Sequence, residues 1–195
     1  MLKLEIPDRL KVEFATVEAL WGSGAQTRRV DALLLSWVKY EKQLRRLFSF
    51  FVFQHPGFTE KNLEPVISAF AESPNLNPGT FMAGIERLGL RPVKDVLGPQ
   101  HEALWAEMKQ IRKTRNKLMH GQVTGKSIPS HQLEKDVKHI VSWVAALAEG
   151  SQVAYGYDGL RRNTYISAKS SAQIAVEKYP FTTPAELKKW LSELK

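Results

Sequence analysis

The 195-residue chain contains no cysteine. That absence excludes a disulfide framework, a thiolate nucleophile and cysteine-ligated zinc, and it is compatible with a reducing compartment. Long apolar runs are missing too. The strongest, Leu47 to Phe53, is interrupted by Ser49 and is far too short to span a bilayer. Met1 to Glu5 lead into Ile6-Pro7 with no hydrophobic signal core, so a cytoplasmic protein without a membrane partner is expected. Acidic residues are in deficit: 20 Asp and Glu stand against 28 Lys and Arg, a formal charge of +8. Such an excess suits an anionic partner, but charge alone does not choose between nucleic acid and an anionic surface. His101, His131 and His139 lack the spacing of a ligand set, so no metal and no cofactor are expected.

What the chain does have is helical spacing. An amphipathic segment runs from Asp8 to about Trp21 and stops at Gly22-Ser23-Gly24. A long helix from about Thr27 to Gln54 carries the stripe Val30, Leu34, Trp37, Glu41, Leu44, Phe48, Phe51, in alternating steps of four and three. Shorter helices are expected around Leu63 to Ala71 and from Asn77-Pro78 to Gly89. Gly98-Pro99 opens a second long helix that Gly121 closes just after His120, and Pro129-Ser130 starts a further long one. The fold class is therefore all-α: a helical bundle with two long antiparallel helices and shorter ones, over residues 1–150. From Gly150 the composition changes. Residues 151–195 read as an irregular arm packed on the bundle, with tyrosines at 155, 157 and 165 and room for one short strand. Thr183-Pro184-Ala185-Glu186 is a capping box with proline at the first helical position, so a short helix through Leu194 should close the chain.

Chemistry is concentrated at Arg115-Asn116-Lys117-Leu118-Met119-His120. Phosphodiester cleavage needs a group that moves a proton near neutral pH and a fixed cation for the phosphate charge, and imidazole and guanidinium supply these. Leu104, Met108, Ile111 and Leu118 mark a buried stripe on which Arg115 occupies an apolar position. Glu41 breaks the stripe of the other long helix in the same way, so it is expected to face Arg115 or its neighbours in a polar pocket, since an isolated buried charge costs several kcal/mol (order of magnitude). Arg112, Asn116 and His120 follow one another at four-residue steps and share a face. Arg115 lies about 140° from His120 on an ideal helix. A tightened last turn, or the arginine of a second subunit, has to bring the two together.

Arg115 to His120, with Asn directly after the Arg and Gly after the His, resembles the signature of the HEPN superfamily of helical ribonucleases and nucleotide-binding domains. The likeness covers about residues 25–150. It implies a homodimer in which two motif copies meet in a cleft and cut RNA without metal, through the RNA's own 2′-hydroxyl. It also implies a place in toxin–antitoxin pairs or phage defence, with an antitoxin protein as a possible partner. In this chain His120 would be the general acid or base, Arg115 would stabilise the charged phosphorus, and Asn116 would orient either. Arg112 and Glu41 would support the site, and Lys113, Lys117, Arg161 and Arg162 would contact RNA. Members whose antitoxin is a nucleotidyltransferase carry Tyr two residues after the His; here that position is Gln122, so silencing by that route is not supported. A catalytically silent adaptor that binds a nucleotide, RNA or a protein stays open as the alternative. So do plainer roles: a cationic last turn on the helix dipole, a histidine capping free carbonyls, and arm tyrosines that anchor the arm.

Overall fold

A computed structural model describes residues 4–122, 127–162, 164, 168–169 and 176–194, and the fold is all-α, with no strand among the described residues. A 3-10 turn at Asp8–Leu10 leads into α1 (Lys11–Gly22), which buries Phe14, Val17 and Trp21 at helical spacing. Then follow α2 (Gln26–Phe53), α3 (Leu63–Glu72), α4 (Pro78–Arg87), α5 (Val93–Leu97), α6 (His101–Met119), α7 (Ser130–Tyr155) and α8 (Pro184–Ser192). Asn77 caps α4 as its sequence predicts: its side chain accepts from Gly79 N–H at 2.9 Å, while Thr80 Oγ1 accepts from Asn77 N–H at 2.8 Å.

Three local expectations change. Helix α7 does not end at Gly150 but continues to Tyr155. A Cβ at Gly150 would lie 2.5 Å from the Val96 carbonyl oxygen, so this glycine admits a close backbone approach and does not terminate the helix. Helix α5 was not foreseen, because five residues offer too few periodic positions; Pro92 nucleates it, its carbonyl accepting from Asp95 and Val96 at 2.9 and 3.1 Å. At α8 only half of the capping box forms. Thr183 Oγ1 accepts from Glu186 N–H at 3.2 Å, but Glu186 reaches one residue further back and accepts from the N–H and hydroxyl of Thr182 at 2.7 and 2.8 Å. Those bonds hold the Glu186 carboxyl below the usual carboxylate range.

The chain divides into two compact units, Met1–Tyr40 with Leu97–Leu147, and Glu41–Val96 with Ala148–Lys195. Helices α2 and α7 each begin in the first and finish in the second. In the first unit the aromatic centre is built on Trp143, which meets Tyr40 edge-on at 5.9 Å and Trp105 at 5.7 Å. Polar ties fix the helix ends. Ser130 donates to Gln26 Oε1 at 2.6 Å and Gln26 donates to the Ile128 carbonyl at 2.7 Å, while His139 Nε2 bonds the Leu104 carbonyl at 2.9 Å.

In the second unit Phe48 is the hub, touching Phe70 at 5.7 Å, Phe81 at 5.9 Å and Trp190 at 5.9 Å between ring centres. Gly84 makes room for it: a Cβ there would sit 2.6 Å from the Phe48 ring. The tyrosines after residue 150 anchor their segment. Tyr155 belongs to α7 and meets Phe51 edge-on at 5.0 Å, Tyr157 stacks on Phe50 at 4.5 Å, and Tyr179 donates to the Phe51 carbonyl at 2.8 Å. Tyr165 lies outside the described residues.

Candidate nucleic-acid interface and catalytic residues

Helix α6 positions every residue of the Arg115–His120 motif. It buries Met108 and Ile111, which seat its inner face in the first unit. Leu104, Leu118 and Arg115 are half-buried, so the stripe loosens toward the C-terminal end. The helix ends in a Schellman motif. Gln122 N–H bonds the Lys117 carbonyl at 2.9 Å, Gly121 N–H bonds the Leu118 carbonyl at 3.2 Å, and Gly121 takes φ +65. Glycine is required by that backbone, and nothing lies within 4 Å of where its Cβ would be. His120 is thereby the cap residue, at the point where the chain leaves the helix axis.

Arg115 and Asn116 are brought together: the guanidinium donates from Nη1 to Asn116 Oδ1 at 3.0 Å. Asn116 is tied in turn to His120 through the backbone, its carbonyl accepting from His120 N–H at 3.0 Å. That bond is an ordinary α-helical one. The imidazole is exposed and makes no hydrogen bond among the described residues. By helical arithmetic the backbone positions of Arg115 and His120 lie about 140° apart, while the Arg115 guanidinium reaches the Asn116 amide.

Arg112, Lys113 and Lys117 are exposed, and none forms an ion pair among the described residues. Helical arithmetic collects Arg112 and Lys113 into a stripe, with Lys117 beside it at about 80° from Lys109. Taking Lys109 as origin, Arg112, Lys113, Asn116 and His120 fall within about 60° on either side at 100° per residue. Lys109 is exposed as well and was missed by the sequence reading, although its spacing to Arg112 and Lys113 is the visible signal. Half-buried Trp105 continues the same stripe at its N-terminal end, stacked on His101 at 6.2 Å.

Glu41 belongs to the second unit. It is half-buried at the margin of a buried α2 face centred on Tyr40, Leu44, Leu47, Phe48 and Phe51. Arg115 forms no ion pair among the described residues, so its stabilising partner is the Asn116 amide and not a carboxylate. Arg161 and Arg162 are exposed, also in the second unit, and the Arg161 carbonyl accepts from the Tyr157 hydroxyl. Among the described residues no group of acidic and histidine side chains is arranged to hold a metal ion, and no helix is long and apolar enough to cross a membrane. Comparison with protein-family models, curated proteins and solved structures returned no match to this chain.

Proposed function

We propose that this protein is a metal-independent endoribonuclease of the HEPN type, acting as a homodimer in the setting of a toxin–antitoxin or phage-defence system. In the proposed reaction His120 takes the proton from a ribose 2′-hydroxyl as that oxygen attacks phosphorus. The bond from phosphorus to the 5′-oxygen breaks, and the departing oxygen takes a proton from the imidazolium or from water. The products are a cyclic phosphate and a 5′-hydroxyl. Arg115 neutralises the charge gathering on the phosphorus oxygens, and Asn116 holds the guanidinium in place. Lys109, Arg112, Lys113 and Lys117 draw the phosphate backbone along α6. One observation carries the proposal: an exposed imidazole, free of hydrogen bonds among the described residues, closes a cationic stripe on a single helix face.

The angular separation of positions 115 and 120 on the helix, about 140°, favours an arrangement in which the arginine of one subunit serves the histidine of the other. The same separation favours a second reading, a silent adaptor that binds RNA, a nucleotide or a protein through the stripe and cuts nothing. Wild-type protein and His120→Ala, each incubated with total RNA in EDTA, separate the two. The nuclease reading expects cleavage by wild type only, reduced in the variant by roughly 10²- to 10⁴-fold. Equal cleavage by both proteins, or cleavage abolished by EDTA, rejects it. Binding without cleavage by either protein selects the adaptor.

A further inference from the structure

The second unit contains a cavity of about 460 Å³, remote in sequence from the Arg115–His120 motif. Sites for small organic molecules fall at roughly 300–1,000 Å³, mostly apolar with a few placed polar groups. Here α2 contributes Arg45 and Arg46, the turn before α3 contributes Glu60, α3 contributes Leu63 and Ile67, and the segment after α7 contributes Arg162. Two features of this wall are unusual. Leu63 and Ile67 are 36% and 44% exposed, large apolar side chains left facing solvent at the cavity. Beside them stand three guanidinium groups against one carboxylate. Arg46 is held in place by donating to the Leu160 carbonyl, while Arg45 and Arg162 are exposed and form neither a hydrogen bond nor an ion pair among the described residues.

We infer that this cavity binds a small organic phosphate, its head on Arg45, Arg46 and Arg162 and its apolar or planar body against Leu63 and Ile67. Guanidinium forks match the oxygen geometry of a phosphate, and covering the two aliphatic side chains removes apolar surface from water. The single carboxylate of Glu60 offers an acceptor to a hydroxyl or amino group on the body and disfavours a second anionic head.

Titration calorimetry of the full chain with 1-naphthyl phosphate tests this, with 1-naphthol and inorganic phosphate as the headless and bodiless controls. The expected result is one saturable site for 1-naphthyl phosphate, at least about tenfold tighter than either control. Arg45→Ala and Ile67→Glu should each weaken it by about tenfold or more, and Arg162→Ala replaces Arg45→Ala if that variant melts early. His120→Ala should bind like wild type, so failure of the nuclease reading leaves this result untouched. Absence of a saturable site, affinity unchanged in the wall variants, or equal affinity for inorganic phosphate overturns the inference.

Discussion

At the scale of single residues, two histidines show how surroundings decide a role. His120 is exposed and ends α6 with its ring unbonded among the described residues. His55 is buried, and both ring nitrogens are committed: Nδ1 accepts from Gly57 N–H at 3.1 Å, and Nε2 bonds the Phe181 carbonyl at 3.0 Å. These bonds fix the neutral tautomer, with the proton on Nε2. Burial pushes the His55 pKa below the ordinary histidine value, with the nearby Lys169 ammonium adding to the shift and the Phe181 carbonyl opposing it. The unfolded chain therefore binds a proton at this position more readily than the folded one. Stability from this site is complete above the unfolded value of 6.5 and is lost as pH falls from there through the lowered folded value. Urea unfolding of wild type and His55→Asn across pH 5 to 8 should show a steeper loss toward acid in wild type. Parallel pH profiles would contradict the assignment.

At the scale of elements, α6 carries most of the account. Its boundaries were legible because Gly98-Pro99 and Gly121 punctuate a stretch with helical spacing, and the structure places Gly121 at φ +65 as a closing residue must be. Gly121→Ala should cost about 1–2 kcal/mol through backbone strain alone, since no atom lies near the added methyl group. A chemical denaturation midpoint unchanged by the substitution would count against that reading. The outward face makes a second prediction. Lys113→Ala and Lys117→Ala should each weaken binding of single-stranded RNA and flatten the dependence of log K on log salt by about 0.7. A slope that stays the same in both variants would remove α6 from the interface. What the sequence did not disclose at this scale has physical causes. Helix α5 is too short for periodicity, and Gly150 reads as a breaker until the Val96 carbonyl that needs its missing side chain is visible. The stripe drawn through Glu41 placed it too deep, because α2 buries a broader face than alternating steps of four and three imply. Arg115 likewise found its partner in the adjacent Asn116, a contact between consecutive residues that no stripe argument detects.

At the scale of the whole molecule, the all-α class followed from spacing that helices alone satisfy, and the structure bears it out. How residues gather into compact units was less legible, since α2 and α7 each supply both units and composition does not mark where a continuous helix passes from one core to another. The candidate site has the same character. Its residue types and their order on α6 can be read from the chain, but the bond that holds the Arg115 guanidinium on Asn116 cannot, and positions 115 and 120 lie about 140° apart on an ideal helix. The proposed chemistry therefore belongs to an assembly with two-fold symmetry, in which each cleft takes its arginine from one copy and its histidine from the other. Mixing two inactive variants, Arg115→Ala and His120→Ala, after unfolding and joint refolding tests that arrangement most directly. The shared-site account predicts that the mixture regains RNA cleavage to about a quarter of the wild-type rate, because half of the dimers are mixed and each holds one intact site. A mixture as inactive as its two components, or one whose activity matches a protein that remains monomeric, would contradict it.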